Sequence, residues 1–196
     1  MTKLVFGVGI NDGSRPARFD DNSMTKEYRL WIAMLNRCYS ATGRWANKTY
    51  EGCSVSVNFL DYAFFYDWCQ NQIGFDKQDY QLDKDVIFVG NKVYSENTCV
   101  FIPRCINTFF TDRRRNRGSY PLGVDMHKNT GKYRARCSDG MGKSVNLGYF
   151  NTPQDAFDAY KPFKESLCKD LALKWKDEID PRVYEAMMKW EVSITS

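Results

Sequence analysis

The sequence predicts an α+β fold: helices first, a ββα unit in the middle, and a strand–strand–helix segment towards the end. Three observations carry this. Tyr28, Trp31, Leu35 and Cys38 recur at three- and four-residue spacing, the signature of one helix face. Two short apolar stretches flank Gly90-Asn91 ahead of Pro103, which reads as a hairpin followed by a helix start. In KYRARC, Lys132, Arg134 and Arg136 alternate with Tyr133, Ala135 and Cys137, the period of a strand with one covered face.

The elements follow in chain order. A short β-prone run, Leu4 to Ile10, leads into a loop rich in Gly, Asn, Asp and Pro. Thr25 is placed to cap a helix from Lys26 to about Tyr39. NFLDYAFFYDWCQNQ, residues 58–72, reads as a second helix whose aromatic rings belong to the core. Val86–Val89 and Cys99–Ile102 are expected to pair across Gly90-Asn91, and the helix after Pro103 carries Asn107. RRRNRGSYP, residues 113–121, is a boundary made of a charge run, a Gly and a Pro. GKYRARCSD and GKSVNLGYF are strands joined by a turn around Asp139–Gly142. Thr152-Pro153 then opens a helix to about Lys176, with Ala156, Ala159, Tyr160, Phe163 and Leu167 towards the sheet. DPRVYEAMMKWEVSITS forms a short helix after Pro181 with Val183, Met187, Met188 and Trp190 as its apolar contacts. Packing on the core and a dimer contact both stay open for it.

Composition narrows the function. The chain has 196 residues, 43% of them hydrophobic, enough to bury a core and exclude wholesale disorder. No apolar run approaches the roughly 20 residues of a membrane helix, and the N-terminus lacks a secretory leader pattern. A soluble cytoplasmic protein is expected, with no membrane partner. The 7 cysteines include no C-x-x-C pair, and their odd number fits free thiols in a reducing compartment better than a disulfide framework. A single histidine, His127, disfavours zinc chelation and histidine-based nucleophilic catalysis, and it reads as an ordinary surface residue. No zinc and no nucleotide cofactor is expected, and nothing beyond scattered carboxylates supports a glycosidase or protease.

Charge points to a partner. Between Arg113 and Phe150 stand Arg113, Arg114, Arg115, Arg117, Lys128, Lys132, Arg134, Arg136 and Lys143, against only Asp125 and Asp139. The whole chain carries +4, so the rest of it is acidic and the basic charge is confined to this stretch. Lys132, Arg134 and Arg136 share the strand face that the helix does not cover. An anionic partner offsets the cost of such a row, and a β-sheet can enter the DNA major groove, where arginine forks match phosphates and guanine edges. The alternative is a solvated face that binds nothing, which would more usually mix in Glu, Thr or Ser.

Residues 119–161 resemble the plant ethylene-response-factor (Apetala) DNA-binding domain, versions of which also accompany phage HNH homing endonucleases. The matching pieces are GV, GKYRAR, LGYF and TPQDAFDAY, in that order. The resemblance implies a three-stranded antiparallel sheet packed on one helix, with the sheet reading the major groove of double-stranded DNA. It makes Lys132, Arg134, Arg136 and Asn146 the DNA-facing candidates, with Lys128 and Lys143 near phosphates. Asn146 stands where the plant domains usually carry Trp, so their base preference does not transfer. The run Arg113, Arg114, Arg115 and Arg117 is expected to track the DNA backbone.

The first half is similar to phage HNH-type homing endonucleases through YRLWIAMLNRCY, LDKD, GNKVYS and CVFIPRCIN, spanning most of residues 26–110. In that family a β-hairpin and a helix hold one divalent metal against the scissile phosphate, with a hairpin histidine as general base. The resemblance implies Asp83 and Asn107 as ligands of Mg²⁺ or Mn²⁺, and it puts Lys84 in the histidine's place. The hairpin's bracing Asn corresponds to Asn97 or Thr98. An exposed lysine, with an unperturbed pKa near 10.4, stays protonated at neutral pH, the more so beside Asp83 and Asp85. Lys84 could touch the phosphate or the leaving oxygen, and Asp85 is the substitute base.

These readings divide the chain into an HNH-like domain (1–112), a basic linker (113–118) and a DNA-binding domain with a C-terminal helix (119–196). They describe a phage-type protein, in the host cytoplasm, that binds double-stranded DNA and nicks it with a divalent metal. The alternative is a catalytically degenerate DNA-binding regulator, or an inhibitor of a host protein. A homodimer and a host-protein partner stay open.

Overall fold

The computed structural model describes residues 4–40, 50–111, 120–139 and 143–193. It is an α+β protein whose chain divides into two compact units, Met1–Pro103 and Arg104–Ser196.

In the first unit, α1 (Lys26–Tyr39) begins where the Thr25 hydroxyl accepts from the Tyr28 N–H at 3.2 Å. Its buried stripe is Trp31, Met34 and Leu35, with Tyr28 and Cys38 at the half-buried margins. The stripe is therefore rotated slightly from the expected one, because Met34 sits at the centre of contact.

The aromatic run forms two helices rather than one, α2 (Val57–Leu60) and α3 (Tyr62–Gln70), separated at Asp61. Asp61 takes an extended conformation and its carboxylate accepts from Ala63 N–H at 2.8 Å, capping α3. The break is also occupied from outside. Ile10 N–H donates to Leu60 O and Tyr62 N–H donates to Ile10 O, at 2.8 and 2.9 Å. This is where the β-prone run Leu4–Ile10 goes: it forms isolated bridges, Val5 to Gly9 and Ile10 to Asp61, instead of a strand.

Rings from these helices fill the core. Phe59 meets Phe65 edge-on at 5.1 Å, and Phe101 lies 5.8 Å from Trp68 and 5.3 Å from Phe75. The polar ends of the buried rings are paired. Trp31 Nε1 donates to Phe59 O at 2.8 Å and Tyr62 Oη to Pro16 O at 2.8 Å. Burial lifts the Tyr62 phenol to about 12.

The central hairpin differs from the expected one. β1 (Ser54–Val55) pairs in parallel with β3 (Val93–Tyr94), while β2 (Tyr80–Asp83) pairs antiparallel with β4 (Val100–Pro103). Val86–Val89 is not a strand. Asp83 turns the chain just before it, and only Val86 tucks in, leaving Val89 82% exposed.

The second unit starts with α4 (Arg104–Phe110), which carries Asn107. The sequence reading grouped this helix with residues 1–112; here it packs within the C-terminal unit. Phe109 and Phe110 meet Trp190 edge-on at 5.7 and 5.3 Å, and Lys164 Nζ donates to Phe109 O at 3.3 Å. Burial there pulls the Lys164 ammonium below its ordinary value.

The remaining elements are β5 (Val124–His127), β6 (Lys132–Ser138), β7 (Ser144–Phe150), α5 (Pro153–Trp175) and α6 (Pro181–Lys189). β5, β6 and β7 form an antiparallel sheet in that order. α5, capped by the Thr152 hydroxyl on Asp155 N–H at 3.1 Å, lays Ala156, Phe157 and Tyr160 on Val124, Ala135 and Cys137. The C-terminal tail packs within the unit: Val183 and Met187 are buried, and Cys168 Sγ of α5 donates to Met187 O. No described helix is long and apolar enough to cross a membrane.

Gly123 shows how closely helix and sheet approach. It has φ +76°, and a Cβ there would lie 2.1 Å from the Tyr160 ring. Gly123→Ala combines left-handed strain with overpacking, so it should cost about 2–4 kcal/mol of stability. Urea unfolding checks this; a midpoint equal to wild type would mean that the ring has room to move aside.

Candidate nucleic-acid interface

The sheet's outer face is defined by register. Residues directly opposite in an antiparallel ladder share a face. Asp125 lies opposite Arg134, His127 opposite Lys132, Tyr149 opposite Arg134 and Asn146 opposite Arg136. Lys132, Arg134 and Arg136 therefore stand together on the side away from α5, as the alternation in KYRARC predicts. Ala135 and Cys137 are buried beneath the helix.

This face is not a bare row of cations. Asp125 sits among them and pairs with two. Arg134 Nη2 lies 2.8 Å from Asp125 Oδ2, and Arg136 Nε lies 2.9 Å from Asp125 Oδ1. The hydrogen bond to Asp125 is the main cause that holds the Arg134 guanidinium above its ordinary pKa, with Tyr149 a lesser one. Lys132 is exposed. Part of the offset that the sequence assigns to an anionic partner is thus internal.

Two further residues join the face. The His127 and Tyr149 rings meet edge-on at 5.1 Å, and His127 Nδ1 lies 3.0 Å from Thr130 Oγ1. His127 is a surface residue that belongs to the sheet face. The signal for it was the alternation Val124-Asp125-Met126-His127, which turns Asp125 and His127 the same way.

Asn146 reaches this face through a bulge. The β6–β7 register shifts between Ala135 and Arg136, leaving Leu147 as the extra residue. Asn146 Oδ1 accepts from Gly148 N–H at 3.2 Å, and Gly148 takes φ +132°. The Asn146 side chain thus braces the bulge from an exposed position. Lys128 is exposed in the turn between β5 and β6, and Lys143 is exposed just ahead of β7. Lys143 exchanges backbone contacts with Asp139, whose carboxylate accepts from Lys143 N–H at 3.0 Å. Arg113, Arg114, Arg115 and Arg117 lie outside the described residues.

The HNH-like positions have a different geometry. Asp83 Oδ1 accepts from Asp85 N–H at 2.8 Å and Val86 N–H at 2.7 Å, an Asx turn that ends β2. Lys84 is 6% exposed, so it is buried rather than exposed as the sequence reading had it. Its ammonium donates to Asp85 Oδ1 and, at 2.8 Å, to Asn91 O. Asn91 answers: its Nδ2 donates to Lys84 O at 2.8 Å and to Val93 O at 2.7 Å. The two residues close the loop by binding each other's carbonyls. Tyr94 completes the enclosure, its ring centroid 5.6 Å from Lys84 Nζ.

Lys84 does not fit the histidine's part in a metal-dependent cut. An ammonium is a donor without a lone pair, so Lys84 can neither ligate a cation nor take a proton from water. Asp85, the substitute base, already accepts from that ammonium. Asp83 commits one oxygen to two backbone donors. Asn107 is half-buried on α4, its backbone carbonyl accepting from Thr111 N–H at 3.1 Å. Thr98 braces the hairpin, its hydroxyl donating to Val93 O at 2.8 Å. Among the described residues no group of three or more His, Cys, Asp or Glu gathers as a metal site.

No family model, no curated protein and no solved structure matches the chain.

Asp83 makes stability depend on pH. Burial pushes its carboxyl above the ordinary 3.8, against the two backbone donors, which pull it down. A raised folded value means that the native state holds the proton to higher pH than the unfolded chain. The corresponding stability is full below 3.8 and is lost as pH rises through the folded value. Asp83→Asn keeps an oxygen for the turn and removes the charge. It should melt above wild type at neutral pH, with the gap closing as pH falls towards 3.8. A gap that widens towards acid would contradict this.

Proposed function

We propose that this protein binds double-stranded DNA through the outer face of its three-stranded sheet, and that the Asp83–Asn91 turn is a structural clasp rather than a cutting centre. One observation carries the first part: Lys132, Arg134 and Arg136 share one sheet face while α5 covers the other. A three-stranded ribbon with outward guanidiniums has the dimensions and donors to enter a major groove, and exposed Lys128 and Lys143 at its ends suit flanking phosphates. Supporting the second part, Lys84 is buried and its donors serve Asp85 and Asn91. The protein would then act by occupying DNA, as a regulator does, without Mg²⁺ or Mn²⁺ chemistry.

Arg134 and Arg136 are the residues to test. Replacing both with Ala should weaken duplex binding in a mobility-shift titration, each lost bidentate contact costing roughly 1–3 kcal/mol. Unchanged binding would remove the sheet from the interface.

Cleavage is tested separately. End-labelled duplex DNA incubated with wild type in Mg²⁺, in Mn²⁺ and in EDTA should shift equally on native gels and stay intact on denaturing gels. Metal-dependent nicks that disappear in Asp83→Ala would make the turn a working nuclease and overturn the clasp assignment.

A further inference from the structure

Among the described residues Asp125 is the one acid on the sheet face, and its position is specific. It faces Arg134 across the β5–β6 ladder, meeting it with both carboxylate oxygens, and reaches Arg136 with Oδ1 as well. Its contacts choose which edge of each guanidinium is used. Arg134 turns its Nε–Nη2 edge to Asp125, at 3.4 and 2.8 Å. Arg136 approaches Asp125 with its Nε, 2.9 Å from Oδ1, rather than with its end-on Nη1–Nη2 edge, on a side chain 52% exposed. That end-on edge is a two-donor fork of the kind that fits guanine O6 and N7.

Two physical effects follow. A guanidinium buttressed by a carboxylate loses less side-chain freedom when it meets a base edge. The carboxylate also repels phosphates, which removes part of the sequence-independent attraction that every duplex offers. The first effect favours DNA with the right base edges. The second penalises all DNA equally. The first raises the ratio of specific to non-specific binding, the quantity that matters among many competing sites, while the second leaves that ratio unchanged.

We propose that Asp125 is the specificity-determining residue of the sheet: it orients Arg134 and Arg136 as base-reading forks and lowers affinity for DNA at large. This builds on DNA binding by the sheet and assigns the acid a positioning role within it. A purely structural ion pair would predict something else, since exposed pairs contribute little to stability and their removal leaves binding selectivity alone.

The experiment uses the full chain and a pool of duplexes with a randomised central segment. Wild type, Asp125→Asn, Asp125→Ala and the Arg134→Ala/Arg136→Ala double variant are compared. Affinity for the unselected pool is read by anisotropy across a salt series, and base enrichment in the bound fraction is read by sequencing. Both Asp125 variants should bind the pool more tightly than wild type, with a salt slope steeper by about one unit, and enrich bases less sharply. Equal affinity, slope and enrichment in wild type and Asp125→Asn, with the double variant impaired, would overturn the role of Asp125 while leaving sheet binding intact. Asp125 variants that bind the pool more weakly at unchanged melting temperature would overturn it too, by making the acid an aid to phosphate contact. Failure of wild type to bind the pool would sink both the sheet reading and this inference.

Discussion

Burial of one face of the β5–β6–β7 sheet under α5 decides what the other face can be. Val124, Ala135 and Cys137 are committed to Ala156, Phe157 and Tyr160, so the alternate positions on each strand have nowhere to go but outward. On most small sheets such positions hold uncharged or mixed polar residues. Here the central strand places three long cations there, and the neighbouring strand supplies one acid that takes up two of them. The electrostatic character of the face thus follows from the helix–sheet contact, and Gly123 sets the closeness of that contact.

A second constraint operates in the first unit. Taking a lysine to 6% exposure is costly unless its ammonium is satisfied, and the loop 84–92 is arranged around doing so. Lys84 and Asn91 exchange donors with each other's backbone, and Asp85 supplies the counter-charge. A side chain that elsewhere could face a scissile phosphate is turned into the protein to hold a loop. The same residues that resemble a catalytic hairpin therefore make a coherent piece of structure.

Much of the second unit was legible because its elements are long and their patterns strict. Thr152-Pro153 announces α5, and KYRARC announces a half-covered strand. The first unit was harder, for identifiable reasons. The run 58–72 is apolar on every side, so its pattern cannot reveal that Asp61 breaks it, and the Ile10 backbone that fills the break comes from about fifty residues away. Val86–Val89 has strand composition, yet a single Asx turn at Asp83 diverts it. Lys84 looked exposed because lysine usually is, and only the position of Asn91 in space reveals its partner. On the sheet, alternation located the cations but could not reveal that Asp125 takes up two of them on the neighbouring strand, since that depends on register.

The bulge in β7 has a consequence of its own. Asn146 and Tyr149 are three residues apart, a spacing that in an unbroken strand would send them to opposite sides. Both nevertheless stand on the cationic face, because Leu147 absorbs the odd step. β7 is in effect two half-strands out of phase by one residue, locked at the seam by an amide and a glycine. Its polarity is consequently stored in chain length: losing Leu147 would leave Asn146 and Tyr149 two residues apart on one face of an unbroken strand, whereas ironing out the bulge at full length would turn the Asn146 half inside out.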